Sequence, residues 1–173
     1  MPNTLTLARI VLIPLFVTSV IYRRYDYALF LFAVAALTDT FDGFIARVRN
    51  QKTALGTFLD PLADKFLLVT SFILFSIYGL VPKWLTIVII SRDLIVVTGW
   101  LVIYIVTHTS KIDTTPAGKA AIALQLVLIG YVLVTLNMPS IPDIRAYLIA
   151  LVSFFTILSG LHYIYRGLRQ SGA

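Results

Sequence analysis

The amino-acid sequence predicts an all-α integral membrane protein with six transmembrane helices. Its 173 residues are 59% hydrophobic and only 13% charged, and the mean hydropathy is +0.92. This composition would leave a soluble domain without a polar surface. Apolar runs of roughly twenty residues recur along the chain, and about twenty helical residues are needed to cross a hydrocarbon core of ~30 Å.

Each predicted helix corresponds to one of these runs, and short connections separate them. The first run follows Arg9 as in a signal peptide, but no small-residue cleavage site precedes Tyr22, so we expect a retained helix. The connections leave no room for a second domain, and we expect one transmembrane domain over residues 1–173. The predicted helices are residues 5–22, 27–47, 59–80, 84–107, 117–137 and 144–165.

The distribution of basic residues predicts that both termini are cytoplasmic, since Lys and Arg concentrate beside the cytoplasmic ends of spans. Four flank the opposite side: Arg23, Arg24, Lys83 and Arg145. Nine flank the side of the N terminus: Arg9, Arg47, Arg49, Lys52, Lys65, Lys111, Lys119, Arg166 and Arg169. We expect a bacterial plasma membrane rather than a mitochondrial inner membrane, because the chain shows no transit segment.

Composition also excludes several functions. The chain has no cysteine, which removes thiol catalysis and cysteine-ligated zinc, and its histidines, His108 and His162, stand alone. The net charge of +6 is dispersed between the predicted spans and forms no basic stripe. It predicts attraction to anionic membrane lipids rather than to nucleic acid.

Half of the carboxylates lie near the junction of the second and third predicted helices. All eight acidic residues are aspartates, and four of them are Asp39, Asp42, Asp60 and Asp64. Spacings of three and four residues place each pair on one helix face, and charges in an apolar segment need a partner. Oxygen ligands without His or Cys suit Mg²⁺ or Mn²⁺. The pattern predicts two divalent cations, because four negative charges balance two of them.

Small residues continue the acidic face of the second helix. Gly43 and Ala46 leave space beside the aspartates for a flat group such as a nucleotide base, or they serve close helix packing. Arg47 could hold a phosphate or anchor the helix at the membrane surface. The residues themselves leave these alternatives open.

The full spacing resembles the signature of the CDP-alcohol phosphotransferases. Asn3, Thr6 and Arg9 are similar to the family's N-terminal element, which precedes six helices and helps to hold the nucleotide diphosphate. The resemblance runs nearly to the C terminus. The matching residues of the signature are Asp39, Asp42, Gly43, Ala46, Arg47, Gly56, Asp60 and Asp64.

The resemblance implies a role for each matching residue. The four aspartates would bind two divalent cations that hold the donor diphosphate, and Asp64 would also be the general base. Gly43, Ala46 and Arg47 would line the cytidine and phosphate pocket, with Gly56 beside it. The implied reaction transfers the phosphatidyl group of CDP-diacylglycerol to an alcohol and releases CMP at the cytoplasmic face. The family resemblance also suggests a homodimer.

Residues outside the signature bear on the acceptor alcohol. Arg92 and Asp93 lie inside the fourth span, and we expect them to point about 100° apart, so that Arg92 faces an acceptor phosphate or forms a structural ion pair. Lys119 is a second candidate for the acceptor phosphate, although a lysine at a helix end also reaches the interface without binding a ligand.

Two groups within the family resemble this chain. The phosphatidylglycerophosphate synthases, whose acceptor is glycerol-3-phosphate, have a second arginine where this chain has Trp100, and Lys-Thr in place of Ala121 and Ile122. The segments 53–56, 60–65 and 90–93 are similar to eukaryotic-type cardiolipin synthases. We therefore expect phosphatidylglycerol as the acceptor. A divalent-cation carrier is the alternative from another class, but it does not account for Gly43, Ala46 and Arg47.

Overall fold

The computed structural model describes the backbone of residues 2–49, 54–107 and 116–171, and the side chains of residues 11–38, 65–99 and 116–165. The described residues form helices and no strand, which confirms the predicted all-helical class. Helices occur at α1 (Pro2–Ile21), α2 (Tyr25–Arg49), α3 (Ala54–Ile77), α4 (Lys83–Thr107), α5 (Pro116–Asn137) and α6 (Arg145–Ser171).

Two helices extend well beyond the apolar runs that predicted them. α3 begins at Ala54 rather than at residue 59, and α6 continues to Ser171 rather than ending at residue 165. Hydropathy marks only the apolar part of a span, whereas backbone hydrogen bonding can carry a helix into the polar layer beyond it. The difference is largest where polar residues adjoin the apolar run.

Two helical segments among the described residues are long and apolar enough to cross a membrane, namely Pro116–Asn137 and Arg145–Tyr165. Shorter apolar helical segments occur at Val11–Ile21, Tyr25–Thr38 and Lys65–Ile77. The six spans and the cytoplasmic termini stay predictions from the sequence.

The chain divides into two compact units. The first comprises residues 1–78 and 129–142, and in it α1 packs against both α2 and α3. Aromatic rings form much of its core: Phe16 and Phe32 have ring centroids 6.4 Å apart, and Phe72 and Phe75 are fully buried. α1 therefore shares a hydrophobic core with α2 and α3, the two helices that carry the aspartates.

The turn between α1 and α2 has the hydrogen bonds of a Schellman motif. The amide of Arg24 donates to the carbonyl of Ser19 at 2.8 Å, and the amide of Arg23 donates to Val20 at 3.0 Å. Arg23 adopts φ 56°, a left-handed conformation that usually favours glycine. This motif stops α1 and returns the chain into α2.

The second unit comprises residues 79–128 and 143–173 and contains α4, the first part of α5, and α6. α4 packs against α6, with Leu85, Ile89 and Val152 almost completely buried. Large apolar side chains on the outer surface include Ile87, which is 64% exposed, and Leu161, which is 61% exposed. Exposed apolar surface of this kind is typical of contact with lipid.

Candidate functional site

The four aspartates lie at matched depths in α2 and α3. Asp39 is ten residues before the end of α2, and Asp64 is ten residues after the start of α3, so each lies about 15 Å along its helix. Asp42 and Asp60 lie about 10 Å and 9 Å from the same two ends. The side chains of all four fall outside the described residues.

Only residues 50–53 separate the two helices in sequence. Consecutive Cα atoms are 3.8 Å apart, so the end of α2 at Arg49 and the start of α3 at Ala54 lie within about 19 Å of each other. Both acidic segments therefore adjoin the same short connection between α2 and α3. Among the side chains that are described, no group of three or more His, Cys, Asp or Glu could hold a metal ion, but that set does not include these aspartates.

The other predicted donor-binding residues belong to the same helices. Gly43, Ala46 and Arg47 lie in the last two turns of α2, and Gly56 lies in the first turn of α3. Asn3, Thr6 and Arg9 lie in the first half of α1, the helix that packs against both α2 and α3. The side chains of these residues are outside the described set.

Arg92 is the best-defined of the predicted acceptor-binding residues. It lies in α4 and is 7% exposed, and its Nη1 is 2.7 Å from Oδ1 of Asp93. The prediction that these adjacent residues point apart is therefore wrong for their charged groups. The Cα–Cβ bonds of neighbouring helical residues do diverge, but the long arginine side chain can bend back and bring its guanidinium to the carboxylate.

The guanidinium of Arg92 has a second contact and one open donor. Its Nη2 donates a hydrogen bond of 2.8 Å to Oγ of Ser159 on α6. Nε is buried and, within the described part of the chain, has no hydrogen-bond partner. A buried N–H group without an acceptor destabilises the fold unless a further group accepts a hydrogen bond from it. Lys119, by contrast, lies exposed near the start of α5.

Sequence reasoning missed the polar residues of α6. Thr156 and Ser159 are fully buried, and Thr156 accepts a hydrogen bond of 3.2 Å from Nε2 of Gln125 on α5. With Val152, they follow the i, i+4, i+7 spacing of one helix face. That spacing is readable in the sequence, but the partners of the face depend on how α4, α5 and α6 pack.

Comparison with known proteins identifies the family. The sequence profile of the CDP-alcohol phosphatidyltransferases matches residues 1–158, which is most of the chain. The protein therefore belongs to the CDP-alcohol phosphatidyltransferase family and is a transferase. This confirms the family resemblance seen in the spacing of the aspartates.

Relatives in the family carry two different names. A probable phosphatidylglycerophosphate synthase of Mycobacterium tuberculosis is 33% identical over 98% of this chain and 82% of its own length. A CDP-diacylglycerol--glycerol-3-phosphate 3-phosphatidyltransferase of Bacillus subtilis is 34% identical over 94% of this chain and 92% of its own. The CMP-forming cardiolipin synthase of Rattus norvegicus is 37% identical, over 75% of this chain and 48% of the rat protein.

Proposed function

We propose that this protein transfers the phosphatidyl group of CDP-diacylglycerol to an alcohol acceptor and releases CMP. The positions of the two aspartate pairs support this most. The aspartates of α2 lie about as far before the end of α2 as those of α3 lie after the start of α3. With the helices antiparallel, Asp39 lies level with Asp64 and Asp42 lies level with Asp60. The aspartates then form two levels about 5 Å apart along the helix axes, and we place both levels at the cytoplasmic side of the membrane.

Two divalent cations, Mg²⁺ or Mn²⁺, fit this donor set. Asp39, Asp42, Asp60 and Asp64 supply only carboxylate oxygens, which are the ligands these hard cations prefer, and their four charges balance two cations. When bound, such cations neutralise charge on the phosphate oxygens of the donor. A neutral site also removes the cost of four charges beside an apolar layer.

Asp64 is the general base in this proposal. It takes the proton of the acceptor hydroxyl as the hydroxyl oxygen bonds to the donor phosphorus that carries the lipid. The bond between this phosphorus and the bridging oxygen breaks, and CMP leaves with that oxygen. Atoms and charge balance without a further reactant, and one in-line displacement completes the transfer.

The donor lies across the surface and the interior of the membrane. Asn3, Thr6 and Arg9 of α1 and Arg47 of α2 bind its phosphates, while Gly43, Ala46 and Gly56 leave space for the cytidine. Its acyl chains enter sideways from the bilayer, which matches the exposed apolar faces of the helices. We propose a single catalytic domain that works as a homodimer in a bacterial plasma membrane.

Phosphatidylglycerol is the proposed acceptor, and cardiolipin is then the product. Arg92 binds the acceptor phosphate and Lys119 attracts it at the membrane surface. Because Asp93 already balances the charge of Arg92, this site suits the single charge of a phosphodiester better than the double charge of glycerol-3-phosphate. Ala121, Ile122 and Trp100 stand where further cationic or polar groups would strengthen binding of a dianion.

Glycerol-3-phosphate is the second candidate acceptor. The relatives that match almost the whole chain, in M. tuberculosis and B. subtilis, are named for phosphatidylglycerophosphate synthesis, whereas the rat cardiolipin synthase matches over 75% of the chain. The two candidates share the donor and the aspartates and differ only in the groups that bind the acceptor.

Mass spectrometry of the lipid product distinguishes the two acceptors. Purified protein in mixed micelles is given CDP-diacylglycerol and Mg²⁺ or Mn²⁺, with phosphatidylglycerol or glycerol-3-phosphate in separate reactions. Cardiolipin from the first reaction supports the proposal. Phosphatidylglycerophosphate from the second, with no cardiolipin from the first, assigns the protein to the second candidate. A sample with Asp64→Asn controls for contaminating synthases.

A further inference from the structure

We infer that Ser159 of α6 is a positioning residue for Arg92, and that α6 thereby contributes to acceptor affinity. The inference rests on the proposed role of Arg92 in binding the acceptor. Ser159 and Arg92 are 67 positions apart in sequence, yet Nη2 of Arg92 donates a hydrogen bond of 2.8 Å to Oγ of Ser159. Ser159 has no exposed surface, so water does not compete for its hydroxyl.

α6 also contacts the aliphatic part of the same arginine. A Cβ atom built on Gly160 would lie 3.5 Å from Cγ and 3.9 Å from Cβ of Arg92. These are ordinary van der Waals distances, so Gly160 lies directly beside the arginine stem. Ser159 therefore contacts the head of Arg92 while Gly160 lies beside its stem, and an arginine loses conformational freedom when its head is held by a hydrogen bond.

Two of the three guanidinium nitrogens of Arg92 already have acceptors. Asp93 accepts from Nη1, and Ser159 accepts from Nη2. Nε is buried and has no partner among the described residues. Nε and the neighbouring Nη2 form the side of an arginine that binds phosphate oxygens. Ser159 and Asp93 together fix the plane of the guanidinium, and we infer that the remaining donor, Nε, binds an acceptor oxygen.

Pre-orientation of this kind changes affinity for one substrate. An arginine that is already fixed does not lose its rotamer freedom when the acceptor binds. Removal of the Ser159 hydroxyl should weaken acceptor binding and leave donor binding as it is, because the proposed donor residues are Asn3, Thr6 and Arg9 and those of the signature on α2 and α3. A purely structural role for Ser159 predicts no such separation.

The test compares Ser159→Ala with Thr156→Val. Both changes remove a fully buried hydroxyl from the same face of α6, but the hydroxyl of Thr156 is bonded to Gln125 rather than to Arg92. Initial rates of CMP release are measured in mixed micelles while the acceptor and the donor are varied in turn. We expect Ser159→Ala to raise the KM for the acceptor about three- to tenfold, with the donor KM unchanged and with Ser159→Thr close to wild type. We expect Thr156→Val to leave both KM values unchanged.

A double variant tests whether Ser159 acts through Arg92. If it does, Arg92→Lys/Ser159→Ala should show no larger acceptor KM than Arg92→Lys alone, since the shared contact is already lost. Equal effects of Ser159→Ala and Thr156→Val on the acceptor KM, or additive effects in the double variant, would overturn the inference. Ser159→Cys, which keeps a similar volume and a weaker acceptor, replaces the alanine variant where the latter does not fold.

Failure of the underlying proposal has a different signature. If the wild-type protein releases no CMP with either acceptor, the proposed transfer is wrong and the inference falls with it. If the wild type is active but Arg92→Lys leaves the acceptor KM unchanged, the role of Arg92 is wrong and the assigned function of Ser159 is overturned. If Arg92→Lys raises this KM and Ser159→Ala does not, only the inference about Ser159 is overturned.

Discussion

Nη1 of Arg92 lies 2.7 Å from Oδ1 of Asp93, and this pair of adjacent residues is mostly buried within the second unit. The arginine side chain is 8% exposed and the aspartate side chain is 18% exposed. Two opposite charges thus enter an apolar helix as a neutral pair. Removing one member leaves the other as an uncompensated charge in a low-dielectric surrounding.

We therefore predict that Asp93→Asn destabilises the protein more than removal of both charges does. The single variant should lower the free energy of unfolding by about 3 kcal/mol, whereas Arg92→Gln/Asp93→Asn should lose less. Thermal unfolding in detergent, followed by circular dichroism, measures the difference. A double variant that is less stable than Asp93→Asn would contradict the neutral-pair interpretation.

The aspartates should separate into two kinetic classes. Asp64→Asn removes the proposed base, so we expect turnover to fall by about 10² or more while the donor KM changes little. Asp39→Asn removes a metal ligand, so it should lower turnover and raise the donor KM as well. Steady-state kinetics with varied CDP-diacylglycerol distinguish the two. Full activity of Asp64→Asn would refute the base assignment.

Removal of divalent cations should abolish transfer reversibly. Chelation with EDTA leaves the four carboxylates without their cations, and the negative charge then repels the donor diphosphate. We expect no detectable CMP release after chelation and recovery when Mg²⁺ or Mn²⁺ is added in excess. Undiminished activity in EDTA, with total metal shown to be absent by elemental analysis, would exclude the two-cation site.

Packing of the first unit should depend on Phe32 much more than on its neighbour Phe30. Phe32 is 6% exposed and packs against Phe16, while Phe30 is 65% exposed. Phe32→Ala leaves a cavity and should cost about 3 kcal/mol of stability, whereas Phe30→Ala should change it by less than ~1 kcal/mol. Thermal unfolding of the two variants compares their losses of stability. Equal losses would show that the ring contact contributes little.

Hydropathy and spacing were sufficient to predict much of this molecule. The six apolar runs predict helices whose bounds agree to within a few residues except at the start of α3 and the end of α6, where the helix continues into polar sequence. The family follows from the aspartate spacing, because residue types at fixed intervals on two helices are a property of the sequence itself.

Contacts between distant helices could not be predicted in this way. The bond between Arg92 and Ser159 depends on α4 lying against α6, and no local signal identifies that neighbour. The ion pair between Arg92 and Asp93 depends on how a flexible side chain bends, which helix geometry alone does not determine. In the proposed function, acceptor choice depends on contacts of this kind, and the four aspartates leave it open.

Acceptor-dependent release of CMP tests the proposed phosphatidyl transfer most directly. The wild-type protein and a variant with Asn at positions 39, 42, 60 and 64 are incubated with CDP-diacylglycerol and Mg²⁺, with and without acceptor. We expect CMP from the wild type in amounts that match the lipid product, and none from the variant. No acceptor-dependent CMP from the folded wild type, or equal release by the variant, would contradict it.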